Sequence, residues 1–144
     1  PLIGWLAVAA GTVFIRRGNG DSRQRTADMV ELLKDDRPVL VFPEGTTTAG
    51  LLVRRFHSRL FEAAIQAQVA VQPVAIRYHD EHGRADVSLA FIGDDAFFPH
   101  LWRLLARRRT RVSLWLPEPI EFAAGATRVE LCDRARERVV QALY

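Results

Sequence analysis

Hydrophobic positions along the chain form two patterns that alternate. Short continuous apolar runs are typical of strands covered on both faces, and they occur at residues 12–15, 39–42, 69–76, 87–92 and 112–116. Apolar residues recur at helical spacing over residues 58–68, 97–107 and 127–143, and a further helix follows residue 21. Strands that alternate with helices predict an α/β fold, which we expect to be a single domain with a mixed, largely parallel sheet flanked by helices.

Local signals mark where several of these elements begin and end. Pro43 closes the 39–42 strand, because proline cannot donate to a sheet ladder. Pro73 indicates a bulge or an edge in the 69–76 strand. Thr127, with Glu130 three residues later, predicts a capping box at the start of the last helix.

The first fifteen residues contain no charged side chain. Residues 2–10 predict a buried or membrane-facing helix that ends at Gly11, and it is shorter than the ~20 residues that a spanning helix needs. We interpret this segment and the 12–15 strand as internal elements of a longer protein, so we expect the start of the fold to lie before Pro1.

Composition narrows the classes of protein that fit. A chain of 144 residues that is 49% hydrophobic fits one globular domain and not a disordered segment. The net charge is +3, and Lys34 is the only lysine, so the basic surface consists of arginines that can fork onto phosphate or carboxylate. Coding bias alone would give the same preference. Cys132 is the single cysteine, and the four histidines show no ligand spacing, so we expect neither disulfide nor metal.

Residues 39–48 contain the most informative stretch. An apolar strand ends at a proline and is followed by Glu44, Gly45 and three threonines. Polar turns at the carboxyl ends of central strands are where open α/β sheets usually bind ligands. The alternative is a strand-to-loop turn in which Glu44 caps a helix or forms a salt bridge.

Arg16 and Arg17 follow the 12–15 strand directly. If this strand neighbours the 39–42 strand, Arg17 and the Glu44-Gly45-Thr46 turn lie at one edge of the sheet. Arginine together with hydroxyls and backbone N–H groups suits an anion, most naturally phosphate. The alternative for the arginine pair is a solvated strand end.

Three segments together resemble the glycerolipid acyltransferases, the lysophosphatidate (1-acylglycerol-3-phosphate) acyltransferases and their relatives. The resemblance extends from Pro1 to about Tyr78, and the three segments occur in the family's order. They are Gly11-x-x-Phe14-Ile15-x-Arg17, Phe42-Pro43-Glu44-Gly45-Thr46 and Val71-x-Pro73-Val74-x-Ile76, with a family-like helix between the last two.

The resemblance implies a glycerol-3-phosphate acyltransferase-like fold and an acyl transfer to a lysophospholipid. The acyl donor is expected to be acyl-CoA or acyl carrier protein, with no other cofactor. The family's phosphate-binding arginine falls on Arg17, with Arg16 as an extra charge, and its acceptor-binding residues fall on Glu44, Gly45 and Thr46. The family's His-x-x-x-x-Asp dyad, a general base and its orienting carboxylate, is expected upstream of Pro1. Residues 1–144 then form the C-terminal portion of one acyltransferase domain.

Departures from the family pattern bear on the acceptor. Thr47 stands where arginine is common, and His57 and Arg59 stand where lysine and glycine are common. An acceptor other than lysophosphatidate therefore stays open.

The resemblance also implies membrane association, at the cytoplasmic face of the bacterial inner membrane. Residues 97–109 fit an interfacial helix with an arginine rim, or equally a core-packing helix with a solvated basic end. A non-catalytic lipid- or anion-binding domain is the alternative function. Nucleic-acid binding is disfavoured, because aromatic residues do not alternate with the arginines.

In the full-length protein, replacing Arg17 by alanine is expected to raise the KM for the acceptor strongly, because a forked charge contact is lost. Steady-state kinetics with varied acceptor check this expectation, and unchanged kinetics would count against the assignment.

Overall fold

The computed structural model describes residues 22–93 and 95–144, and six helices and strands organise this part of the chain. In chain order they are α1 (Ser22–Lys34), α2 (Glu62–Ala67), β1 (Ala75–His79), α3 (Phe97–Leu105), β2 (Arg111–Trp115) and α4 (Arg128–Leu143). Two short 3-10 helices, Ser58–Phe61 and Val87–Leu89, lie between them. The helix predicted at residues 2–10 and the strand predicted at 12–15 fall outside the described residues.

The two strands form an antiparallel pair in which Ala75 lies opposite Trp115 and His79 opposite Arg111. A separate bridge between Val71 and Ile120 continues the pairing beyond β1. Pro73 interrupts the ladder between the two, because it has no N–H to donate. The side chain of Gln72 spans part of this gap and donates to the Pro117 carbonyl at 2.5 Å.

The main hydrophobic core forms where α4 packs against the 3-10 helix Ser58–Phe61 and the segment before it. Ile120 and Leu131 are the largest side chains that are completely enclosed. Around them lie Val53, Phe56, Phe61, Ala64, Cys132 and Ala135. Residues 53–56 are therefore fixed from the side of α4.

Helices were predicted best. The capping box at Thr127 is confirmed: its hydroxyl accepts from the Glu130 N–H, and the Glu130 carboxylate accepts from the Thr127 N–H. These bonds hold the pKa of Glu130 below its usual value. The helices predicted at 97–107 and 58–68 are also present, the latter as a 3-10 turn followed by α2.

Three strand predictions differ from the structure. The strand predicted at 69–76 is an isolated bridge at Val71 followed by β1, which begins at Ala75 and continues to His79. Residues 39–42 belong to neither a helix nor a strand and have no ladder partner among the described residues. Leu40 and Phe42 are 75% and 71% exposed. The neighbour predicted for this strand, 12–15, lies outside those residues, so the largely parallel sheet stays a prediction. At 87–92, Asp86 accepts from the N–H and the hydroxyl of Ser88. This local bonding competes with a ladder and gives the 3-10 turn Val87–Leu89 in place of a strand.

Replacing Leu131 by alanine is expected to lower the free energy of unfolding by about 3 kcal/mol, because it leaves a cavity beneath α4. Val129 lies on the exposed side of the same helix, so V129A should change it by less than about 0.5 kcal/mol. Urea unfolding monitored by circular dichroism compares the two. Equal losses would show that α4 does not pack through Leu131.

Candidate functional site

Residues 42–48 contain a tight turn. We call this segment the acceptor turn, after the acceptor binding that the family resemblance implies for it. The Gly45 N–H donates to the Phe42 carbonyl at 3.1 Å, and Gly45 has a φ of 64°. This left-handed conformation favours glycine, because a side chain is strained there.

The imidazole of His57 lies directly against this glycine. A Cβ atom at Gly45 would lie 2.9 Å from His57 Cδ2 and 3.0 Å from Nε2, so a side chain there would displace the ring. The backbone N–H of His57 also donates to the Pro43 carbonyl at 2.8 Å. His57 drew attention in the sequence only as a departure from the family pattern, and the structure makes it one wall of the turn.

The carboxylate of Glu44 fixes the turn to the next segment of the chain. Its Oε2 atom accepts from the Arg54 N–H at 3.1 Å. This bond to a backbone N–H holds the turn, but it is neither the helix cap nor the salt bridge that the sequence suggested as alternatives to ligand binding. A carboxylate accepts several hydrogen bonds, so Glu44 retains capacity for a ligand donor.

The segment that holds Glu44 is itself held by α4. The guanidinium of Arg136 donates to the carbonyls of Val53 and Arg54, at 2.8 and 2.9 Å. The hydroxyl of Tyr144 donates to the Leu51 carbonyl at 2.8 Å. Neither Arg136 nor Tyr144 was predicted from the sequence. Arg136 is half-buried, and its only sequence signal is its position one turn after the buried Cys132.

The three threonines of the turn have different partners. Thr47 donates to the Phe91 carbonyl at 2.5 Å, and Thr48 accepts from the Gly50 N–H at 3.2 Å. The hydroxyl of Thr46 makes a long contact of 3.5 Å with the Thr47 carbonyl. The Thr46 hydroxyl therefore has the longest of these three hydrogen bonds.

The structure brings together part of the predicted site. Glu44, Gly45 and Thr46 share the acceptor turn, with His57 beside them. Arg16 and Arg17 lie outside the described residues, so their proximity to the turn stays a prediction. Within residues 22–93 and 95–144, no group of three or more histidine, cysteine or acidic side chains is arranged to hold a metal ion.

The family model "Acyltransferase" matches residues 1–77, which is more than half of the chain. The chain belongs to this acyltransferase family. The match includes the acceptor turn and the wall that His57 provides.

The curated relatives of the chain are enzymes named for lysolipid acceptors. The lyso-ornithine lipid O-acyltransferase of Pseudomonas aeruginosa is 50% identical over 144 residues, which are all of this chain and 55% of that protein. The enzyme of the same name from Rhodobacter capsulatus is 36% identical over 113 residues, 76% of this chain and 41% of that protein. The 1-acyl-sn-glycerol-3-phosphate acyltransferase of Neisseria gonorrhoeae is 30% identical over 140 residues, 96% of this chain and 54% of that protein.

The chain thus spans about half the length of the curated relatives it matches. No solved structure matches it.

Replacing Glu44 by alanine is expected to lower the free energy of unfolding by about 1 kcal/mol and to cripple acyl transfer, because the Arg54 N–H loses its acceptor. Glu44→Gln keeps an acceptor oxygen and should restore the stability. Thermal unfolding of both variants, followed by kinetics of the full-length protein, distinguishes the hydrogen bond to Arg54 from the negative charge of the carboxylate. Equal stability of the alanine variant and the natural protein would contradict the bracing role.

Proposed function

We propose that this chain is part of an O-acyltransferase that moves a fatty acyl group from acyl-CoA or acyl carrier protein to the hydroxyl of a lysolipid. The observation that carries the proposal is the acceptor turn, where the sequence Glu44-Gly45-Thr46 matches the family's motif. The turn is bonded to the backbone N–H groups of Arg54 and His57. The reaction belongs to membrane lipid biosynthesis. We place it at the cytoplasmic face of the bacterial inner membrane.

The reaction needs a general base and an electrophile besides this turn. In the proposed step, the acceptor hydroxyl attacks the thioester carbonyl and gives its proton to the histidine of the family's His-x-x-x-x-Asp motif, expected upstream of Pro1. The C–S bond then breaks, and the departing thiolate takes the proton. The residues of this chain bind and orient the acceptor, and such positioning accounts for a large part of the rate of a two-substrate reaction.

We further propose that the acceptor has the chemistry of a lyso-ornithine lipid. The Pseudomonas and Rhodobacter relatives carry that name, and the first of them matches the whole chain at 50% identity. Thr47 replaces the family's common arginine, and its hydroxyl is already engaged by the Phe91 carbonyl. The turn therefore lacks one cation that would favour a phosphate.

Ornithine supplies groups that complement the residues present. It carries a carboxylate and amino groups and no phosphate, so it needs fewer cations than 1-acylglycerol-3-phosphate. In this proposal the carboxylate binds Arg17, with Arg16 beside it. The Glu44 carboxylate and the Thr46 hydroxyl then accept hydrogen bonds from the N–H groups of the head group.

The acceptor preference is testable at position 47. In the full-length protein, Thr47→Arg is expected to raise kcat/KM for 1-acylglycerol-3-phosphate about tenfold relative to lyso-ornithine lipid, because a charge-assisted bond to phosphate contributes about 1.5–3 kcal/mol. Thr47→Val is the control, since it removes the bond to Phe91 without adding a charge. An arginine variant with the same preference as the valine variant would refute the role of this position.

The basic assay compares both acceptors with both donors, using the full-length protein. Transfer to lyso-ornithine lipid is expected, with weaker transfer to 1-acylglycerol-3-phosphate. Acceptor binding with no turnover by any donor would favour the non-catalytic lipid-binding alternative. Efficient transfer to the phosphate acceptor alone would overturn the head-group assignment and leave the reaction class intact.

A further inference from the structure

One side of α3 presents three large apolar side chains to solvent. Phe98, Trp102 and Leu105 are 78%, 74% and 68% exposed. Their spacing of four and three residues places them in one row along the helix. We call this row the apolar stripe.

The stripe is distinct from the face by which α3 packs. The imidazole of His100 is buried on that other face, and Leu101 and Leu104 are half-buried beside it. A helix that only covers a core needs one apolar face. α3 has a second one, and exposed patches of this kind mark interaction sites.

Charges around the stripe are distributed unevenly. The carboxylate of Asp95 lies 3.7 Å from the Arg103 guanidinium, and that of Asp86 accepts from Arg107 at 2.6 Å. The Arg107 bond holds the pKa of Asp86 below its usual value, so this carboxylate stays ionised and paired. Arg108 and Arg109 follow the helix, are exposed, and form no ion pair with any residue that the structure describes.

We propose that the apolar stripe docks on the surface of an anionic lipid bilayer, with Arg108 and Arg109 against the lipid head groups. Exposed aromatic residues suit the apolar acyl-chain region of a bilayer, and arginines without an ion pair suit its negatively charged head groups. Tryptophan is enriched at such interfaces, because its ring is apolar and its N–H is polar.

The helix lies along the bilayer rather than across it. With nine residues, α3 is about 13 Å long, which is less than half of a hydrocarbon core of roughly 30 Å. None of the helices in the described part of the chain is long and apolar enough to cross a membrane. Insertion of the stripe to the depth of its side chains is sufficient for docking.

The stripe is physically connected to the acceptor turn. The rings of Phe98 and Phe97 pack edge to face with centroids 5.6 Å apart, and Phe97 packs on Phe91 at 6.0 Å. The Phe91 carbonyl in turn accepts from Thr47 of the turn. If the proposed function holds, docking brings the turn to the surface in which a lysolipid acceptor resides, although the docking itself requires no turnover.

The test places a polarity-sensitive fluorophore on the stripe of the full-length protein. Phe98→Cys and Trp102→Cys are labelled in turn, with Val129→Cys on the exposed side of α4 as the control. Cys132 is buried, and burial raises the pKa of its thiol, so it reacts slowly with the label. The probes are vesicles of phosphatidylglycerol and phosphatidylcholine, and vesicles of phosphatidylcholine alone.

Docking predicts that emission from positions 98 and 102 shifts to shorter wavelength on anionic vesicles, while emission from position 129 does not. Sedimentation with the vesicles without a shift at 98 or 102 would overturn the proposal, because the membrane is then bound elsewhere. No sedimentation would overturn it as well. A shift that appears without lipid and grows with protein concentration would also overturn it, by assigning the stripe to a second copy of the chain.

The charge component is tested separately. Arg108→Gln combined with Arg109→Gln is expected to raise the lipid concentration that gives half of the emission shift about 25-fold, since each basic residue contributes about fivefold to binding. Arg84→Gln combined with Arg138→Gln removes two exposed arginines elsewhere and should change it less than twofold. Equal effects of the two pairs would mean that net charge, and not this surface, governs binding. Acyl transfer from soluble donors to detergent-dispersed acceptor is measured alongside, so a failed docking result is distinguishable from a failed function.

Discussion

The Arg136 guanidinium connects the C-terminal helix α4 to the segment of the chain that holds the acceptor turn. It reaches from the C-terminal helix to the carbonyls of Val53 and Arg54, and the Arg54 N–H on the same segment binds Glu44. A planar fork that bonds two adjacent carbonyls fixes the backbone more strictly than an apolar contact does. The geometry of the acceptor turn therefore depends on a helix that begins more than 70 residues later.

The turn is held on its other side by a different part of the chain. Thr47 binds the Phe91 carbonyl, and Phe91 packs on the aromatic residues at the start of α3. The Glu44 carboxylate, the glycine against His57 and the Thr46 hydroxyl therefore lie in a turn that is bonded on both sides. Such support restricts the motion of a binding site, and restricted motion favours orientation of a bound acceptor.

Features that depend on neighbours in sequence were predictable. The capping box at Thr127 follows from two residues three positions apart, and the helices followed from apolar spacing. Pro73 indicated an interruption, and the structure places it between the Val71 bridge and β1. The turn that contains Glu44 and Gly45 could be located because proline ends a strand and glycine permits a left-handed backbone.

Features that depend on distant partners were not predictable. An apolar run such as residues 39–42 becomes a strand only beside a ladder partner, and the sequence does not state which segment that is. The hydrogen bonds from Arg136 to the carbonyls of residues 53 and 54 span more than 80 positions. The chain contains many arginines, so the sequence does not indicate which of them makes such bonds. The exposure of the stripe on α3 was equally undecided, because an apolar helical face suits a core and a membrane alike.

In the proposed function, the acceptor lipid binds at the turn of residues 42–48 beside His57. The most direct measurement is photo-crosslinking of the full-length protein with a lyso-ornithine lipid that carries a photoreactive group next to its acceptor hydroxyl, followed by mass-spectrometric mapping. Crosslinks within the described residues are expected to concentrate in 42–57 and to be reduced by excess unmodified acceptor. Competable crosslinks that avoid this segment and fall on α1 or α4 would contradict it.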